Sequence, residues 1–312
     1  MLEKYDVIII GAGPAGLSAA LYASRANLSV VVLEKEEKGS LLMAHKISNY
    51  PGVIGEPTGK ELYKNMKEQA IKFGTKIVNA TFLELDVMSE YKLVKTDLNN
   101  YEADVIIMAN GVSKTNNIKI KGEEEFLGRG VSYCATCDGA FFRNMDVSVF
   151  GQGDEAVEEA LFLTKHAKKV YFFVKDSELK CEKELYDTIT QNEKVEILCN
   201  RELKKITGKE FVEEVIVEEK GVKKYEDYKV AAAFLYLGTK SNSQLFSMFA
   251  KLDENGYIET NEKMETLIKG IYAVGDIRKK VLRQVVTAAA DGAIAGTEAI
   301  KYMMKHKKDR RN

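Results

Sequence analysis

The sequence predicts an α/β fold made of two parallel-sheet domains, the second inserted into the first. Three observations carry that prediction. A strand, glycine-rich turn, helix and strand stand in series near the N-terminus, and the same series returns 140 residues later without a gap. Two polar stretches bracket the segment that holds the second copy. The 312 residues are long enough for two domains, each with its own core.

The first unit opens with Asp6-Val7-Ile8-Ile9-Ile10, apolar enough for a strand buried on both faces. It runs into Gly11-Ala12-Gly13-Pro14-Ala15-Gly16, then residues 17–27 carry helix formers. Val30-Val31-Val32-Leu33 is the second strand, ending at Glu34. A glycine-rich turn alone is only a turn. Between two strands and with an acid eighteen residues beyond Gly16, it reads as a Rossmann-like dinucleotide site. Gly11 permits the tight turn, Gly13 lets backbone approach a pyrophosphate, and Gly16 lets helix pack on strand. The helix N-terminus faces the phosphates, and Glu34 can accept from a ribose hydroxyl.

In the second unit, residues 147–150 are the strand and Gly151-Gln152-Gly153-Asp154-Glu155-Ala156 the turn. Residues 157–168 form the helix and 170–174 the second strand. Gly11, Gly13 and Gly16 map to Gly151, Gly153 and Ala156, while Glu34 maps to Val174. The fold of the unit is kept and its ribose acceptor is gone. Asp154 and Glu155 stand where a pyrophosphate would sit. Acids in a first helical turn are ordinarily favourable partners of the helix dipole. Against a phosphate at about 5 Å, though, a carboxylate costs about 3 kcal/mol at an effective dielectric near 20, about two decades of affinity.

Further along, residues 103–108 form a strand leading to Ala109-Asn110-Gly111, and 113–117 and 238–243 are polar linkers. Gly270-Ile271-Tyr272-Ala273-Val274-Gly275-Asp276 is strand then turn, before a helix from 283 to about 304. The expected domains are therefore 1–114 with 244–312, and an inserted 115–243. Two short polar linkers permit the domains to rotate against one another.

Composition excludes several classes. A net charge of -1 and a pI near 6.4 give no reason to expect nucleic acid. No apolar run is long enough for a signal-peptide core or a membrane span, so no membrane partner is expected. Four cysteines, two of them in one motif, fit a reducing cytoplasm better than a disulfide framework. Cys181 and Cys199 read as ordinary thiols.

The most chemical stretch is Cys134-Ala135-Thr136-Cys137-Asp138. Such a pair cycles between dithiol and disulfide, one thiolate attacking a partner disulfide and the other resolving the mixed disulfide. Asp138 stands where a proton can be given to or taken from a departing sulfur. A zinc site would need two more ligands from Cys181, Cys199, His45, His166 and His306, none at a paired spacing. No metal is expected.

Gly11-x-Gly13-x-x-Gly16, Asn49-Tyr50-Pro51-Gly52, Cys134-Ala-Thr-Cys137-Asp138, and Gly275-Asp276 followed by Arg283-Gln284 appear in this order over essentially the whole chain. Together they resemble the low-molecular-weight thioredoxin reductases. The resemblance implies the class II pyridine nucleotide-disulfide oxidoreductase architecture: two Rossmann-like nucleotide-binding domains, the second inserted into the first. It implies FAD in the first domain, held through Gly11, Gly13, Pro14, Ala15, Gly16, Glu34, Lys35, Leu42, Asn49, Ala109, Asn110, Gly111, Gly275, Asp276, Arg283, Gln284 and Val285. It also implies that Cys137 faces the isoalloxazine, Cys134 attacks the thioredoxin disulfide, Asp138 is the acid, and the protein is a homodimer.

The departures point further. NADPH-using members carry His-Arg-Arg-x-x-x-Arg after the second unit's last strand, where arginine forks grip the 2′-phosphate. Here that stretch is Val174-Lys175-Asp176-Ser177-Glu178-Leu179-Lys180. Asn110, Ser241, Leu42 and Met43 also depart from the pattern, and these changes read as neutral. The losses resemble the ferredoxin-linked flavin thioredoxin reductases, in which single electrons from ferredoxin enter a flavin and leave as a pair. Ferredoxins are acidic, so a basic docking surface is expected, with Arg278-Lys279-Lys280 as a candidate. The competing reading keeps NADPH or NADH as donor, with Asp176 on a ribose hydroxyl. A non-catalytic flavoprotein or redox sensor would have no need of Cys134, Cys137 and Asp138 together.

Overall fold

The computed structural model describes residues 2–35, 39–44, 46–87, 91–114 and 120–309. His45 and residues 115–117 of the first expected linker lie outside them. The described α-helices are α1 (Pro14–Arg25), α2 (Gly59–Lys72), α3 (Ala135–Asp138), α4 (Asp154–Leu163), α5 (Lys183–Thr190) and α6 (Val285–Asp309). No helix among the described residues is long and apolar enough to cross a membrane.

The chain divides into two compact units, Met1–Ser113 with Lys240–Asn312, and Lys114–Thr239. Residues 240–243, expected in the inserted domain, group with the first unit. The reason is burial: Ser241 is 3% and Ser243 1% exposed, and both bond within that unit, Ser241 to the Ile277 carbonyl and Ser243 to that of Gly256.

In the first unit a parallel sheet runs in the order Lys76–Asn79, Val30–Glu34, Leu2–Ile10, Asn100–Met108, Ile271–Ala273. Lys92–Thr96 and Phe82–Asp86 extend it antiparallel from the first half of Asn100–Met108. Val30–Glu34 is buried along its whole length, as expected for a strand covered on both faces. Helices α1 and α6 pack so closely that a Cβ on Gly292 would lie 2.0 Å from the Ala15 carbonyl oxygen. Helix α2 begins with a capping box in which Thr58 and Glu61 satisfy each other's backbone N–H.

The second unit repeats this order with other residues. Its parallel sheet runs Val195–Leu198, Lys169–Phe173, Asp146–Gly151, Ala232–Tyr236, Val131–Ser132. An antiparallel sheet of Arg201–Gly208, Val212–Glu219 and Lys224–Lys229 covers one side. There Phe150 and Phe173 stack at 4.7 Å between centroids within a cluster that includes Val215 and Val217. The sequence places the second helix at 157–168; α4 runs Asp154–Leu163, its start one turn earlier because Gly153 is its N-cap.

Candidate active site

Four parallel strands of the first unit end on one edge of its sheet, where the expected cofactor residues cluster. Gly11 follows Leu2–Ile10, Lys35 follows Val30–Glu34, Ala109-Asn110-Gly111 follows Asn100–Met108, and Gly275-Asp276 lies beyond Ile271–Ala273. Backbone bonds stitch these ends together: Gly11 to Leu33, Ala109 to Ile10 and Val274 to Met108, at 2.8, 2.8 and 2.9 Å. Ligands of open α/β sheets bind at such carboxyl edges.

The turn itself is made for close approach. A Cβ on Gly16 would lie 1.9 Å from the Gly11 carbonyl oxygen, whereas one on Gly13 would meet nothing within 4 Å. Gly13 is the N-cap of α1 without any side-chain cap, Pro14 lies in the first turn, and Ala15 is buried. That leaves the helix start facing open space, which suits a phosphate. Asn49 and Gln284, far apart in sequence, meet through Asn49 Nδ2 donating to Gln284 Oε1 at 3.0 Å. Asn110 Nδ2 donates to the Asn242 carbonyl at 2.9 Å, while its own Oδ1 is buried without a partner. Leu42 and Val285 pack against the first unit's core, and Lys35 is exposed.

Two further buried polar atoms lack partners here, Asp276 Oδ1 and Arg283 Nε. Burial pushes the Asp276 carboxyl up, and neighbouring Asp291 adds to this while Lys280 and Arg283 oppose it. The Arg283 guanidinium lies 4.0 Å from the Tyr257 ring centroid. Orphaned buried groups beside an open glycine turn are what a polar cofactor would satisfy. The residues present therefore fit FAD.

Glu34 is 8% exposed and already engaged: it accepts from the Tyr63 hydroxyl and, at 3.0 Å, from Lys67 Nζ. Burial, with the Glu34 hydrogen bond second, pushes the Tyr63 phenol up to about 12. A carboxylate has about four lone-pair positions, so acceptor capacity for a ribose remains. Tyr63 and Lys67 escaped sequence reasoning, although both lie on α2, four residues apart on one face.

In the second unit, Cys134 and Cys137 form a disulfide. Cys134 is the N-cap of α3, and its sulfur accepts from the Cys137 amide at 3.2 Å. Asp138 Oδ2 accepts from Ser132 Oγ at 2.6 Å, and the Cys134 amide donates to that same Oγ at 3.1 Å. Ser132 thus ties the acid to the first cysteine, a link that sequence gave no reason to expect. Among the described residues no group of His, Cys, Asp and Glu is placed to hold a metal.

At the nucleotide edge of this unit several side chains are engaged with other parts of the protein. Gln152 Nε2 donates to Asp176 Oδ2 at 3.3 Å. Asp154 Oδ1 accepts from the Glu182 amide at 2.7 Å, and Lys175 pairs with Glu202 at 2.7 Å.

The Arg278-Lys279-Lys280 run is not the docking surface expected for an acidic partner. Lys280 and Arg278 turn inward onto Asp291, at 2.7 and 3.2 Å, with side chains 6% and 15% exposed. Only Lys279 reaches solvent, and it lies 3.8 Å from Glu259. A carboxylate on α6, invisible to a local reading of the run, decides the matter. Asp291 also accepts from the Gly275 amide at 3.0 Å, so this buried cluster holds the Gly275-Asp276 turn.

Fold, cofactor edge and disulfide together define a flavoprotein disulfide oxidoreductase. Residues 5–292 match the pyridine nucleotide-disulphide oxidoreductase family. A thioredoxin reductase of Peptoclostridium litorale is 40% identical over 310 residues, 97% of this chain and 98% of that one. The crystal structure of thioredoxin reductase from Streptococcus pyogenes, 39% identical, superposes with a TM-score of 0.91 over 97% of this chain and 99% of that one. A ferredoxin-flavin thioredoxin reductase from Clostridium acetobutylicum is 31% identical with a TM-score of 0.53, over 98% and 100% of the two chains. The chain belongs to the pyridine nucleotide-disulphide oxidoreductase family, and within it to the FAD-dependent thioredoxin reductases.

Proposed function

We propose that this thioredoxin reductase draws its electrons from reduced ferredoxin rather than from NADPH or NADH. The observation that carries the reading is the Gln152–Asp176 hydrogen bond across the edge where a nicotinamide dinucleotide would lie. Asp176 stands where a 2′-phosphate needs an arginine, and Lys175 is drawn away to Glu202. Glu155 adds a second carboxylate at the start of α4. The Clostridium acetobutylicum relative, named a ferredoxin-flavin enzyme, is consistent with this choice.

In this reading Gly11, Gly13, Glu34, Asn49, Asp276, Arg283 and Gln284 hold FAD. When bound, FAD supplies a carrier that accepts electrons singly and delivers them as a pair. Once the disulfide is reduced, the Cys134 thiolate attacks one sulfur of the thioredoxin disulfide. A mixed disulfide forms, and the departing thioredoxin thiolate takes the proton held by Asp138. The Cys137 thiolate then attacks Cys134 Sγ, which re-forms the disulfide and releases the second thioredoxin sulfur as a thiolate that takes a proton from water, leaving thioredoxin as a dithiol. Ser132 orients Asp138 for its part. Two copies of the chain are expected to associate, which sedimentation of the purified protein checks.

A nicotinamide donor is favoured by two observations: Gly153, at φ 85°, keeps open space before α4, as Gly13 does before α1, and Gln152 Oε1 in the same turn is buried without a partner. Anaerobic titration separates the readings. Flavin absorbance should bleach with reduced ferredoxin, recover on adding oxidised thioredoxin, and stay unchanged with NADPH or NADH. Rapid bleaching by either nucleotide overturns the ferredoxin assignment.

A further inference from the structure

The disulfide turn rests on a pair of side chains that its sequence motif does not include. The Ala135 amide donates to Tyr236 Oη at 2.7 Å, and that hydroxyl donates to Glu159 Oε2 at 3.0 Å. The same Glu159 oxygen accepts from the Thr136 amide at 3.1 Å. Ala135 is fully buried, so its N–H has no recourse to water. Two of the first three amides of α3 are thereby committed to the pair, and the third, of Cys137, is shared between the Cys134 sulfur at 3.2 Å and the Cys134 carbonyl oxygen at 3.3 Å.

We infer that Tyr236 and Glu159 are positioning residues for Cys134. By holding the amides of Ala135 and Thr136 they leave the Cys137 amide to the Cys134 sulfur, and so set how readily that sulfur carries negative charge. Donation to a thiolate is the interaction that lowers a thiol's pKa, and it depends on N–H direction. An untethered four-residue helix would have little to fix that direction, because so short a segment is not stable alone. Burial pushes both Glu159 and the Tyr236 phenol up, so Tyr236 stays a protonated donor throughout the working range.

The titratable groups around Cys134 come from every packed element. Asp138 is on its own turn, Glu159 and Glu155 are on α4, Tyr236 ends the strand Ala232–Tyr236, and the His166 ring edge lies beside Gly139. Asp138 acts on the departing sulfur. Tyr236 and Glu159 act through the backbone.

The inference rests on Cys134 as the attacking cysteine, and its test reads that thiol directly, without thioredoxin or electron donor. The holoenzyme is reduced with dithiothreitol, desalted anaerobically and alkylated with iodoacetamide across pH, with the Cys134 peptide followed by mass spectrometry. Tyr236→Phe should raise the midpoint of the pH–rate profile by about one unit, a tenfold smaller thiolate fraction at low pH. Glu159→Gln keeps both hydrogen bonds but takes away a carboxyl whose ionised form repels a thiolate, so its midpoint should fall, with thiolate roughly a few-fold more abundant. Circular dichroism and flavin content should stay unchanged in both. A midpoint that does not move in either folded variant overturns the inference, as does a Glu159→Gln midpoint that rises. Failure of the ferredoxin reading would leave these profiles untouched.

Discussion

The two units place a turn after the same strand of the same sheet order and fill that corner in opposite ways. In the first, Ile271–Ala273 leads to Gly275-Asp276, where Asp276 Oδ1 is buried without a partner and Gly13 faces open space. In the second, Val131–Ser132 leads to Cys134, and the turn is bonded to Glu159 on the helix that follows the glycine-rich turn. One corner keeps unmet hydrogen-bonding capacity for a cofactor. The other has used that capacity on the protein's own reactive group. A shared fold therefore says little about a shared ligand; unsatisfied buried atoms say more.

The largest effect is expected from the cluster that holds the open corner. Asp291→Ala leaves Lys280 and Arg278 without their ion-pair partner and releases the Gly275 amide. Breaking such a group costs about 3–5 kcal/mol. Thermal unfolding of the first unit should come roughly 10 °C earlier, and flavin should be lost on dilution. Unchanged melting would mean that the corner does not depend on Asp291.

Carrying the second unit's acids into the first tests whether charge alone distinguishes the turns. Pro14→Asp, the counterpart of Asp154, should weaken FAD binding about a hundredfold by repulsion, while the helix dipole welcomes the acid and keeps α1 folded. Fluorescence titration of the flavin-free protein measures it. Equal affinity in the variant would remove the electrostatic difference drawn between the two turns.

The reverse graft is a smaller step. Asp176→Arg, Lys180→Arg and Glu155→Ser together should raise NADPH affinity about tenfold or more, read by calorimetry. Asp176→Arg also frees Gln152 from its bond across the edge. If NADPH still fails to bind, groups other than these close that edge.

Much of this was legible in the chain because it is local. The glycine turns, the following helices and the flanking apolar strands are each encoded within about thirty residues. The correspondence of the fifth strands was not legible. Ile271–Ala273 comes last in its unit, whereas Val131–Ser132 comes first in its own and is only two residues long. A constant shift along the sequence cannot align segments whose order differs. The partners of the site were hidden for the same reason. Asp291, Glu159 and Tyr236 act across separations that only the fold closes, and Arg278-Lys279-Lys280 read as a surface run until Asp291 was in place.

Asp276 offers the finest test of the open corner. Burial raises its folded-state pKa above the unfolded value of 3.8. A group shifted in that direction contributes most below its unfolded pKa, and the contribution is lost as pH rises through the folded pKa. At neutral pH the raised pKa works against the flavin-free fold, and Asp276→Asn removes that penalty. The flavin-free variant should melt above the flavin-free wild type at pH 7, by the smallest margin of these four changes, and the gap should close as pH falls toward 3.8. With FAD present the order should reverse, because a ligand stabilises the folded state in proportion to its affinity and the wild-type carboxylate is the better acceptor. The opposite sign in the flavin-free pair would mean that Asp276 is satisfied without a cofactor. Its corner would then be as closed as that of the second unit.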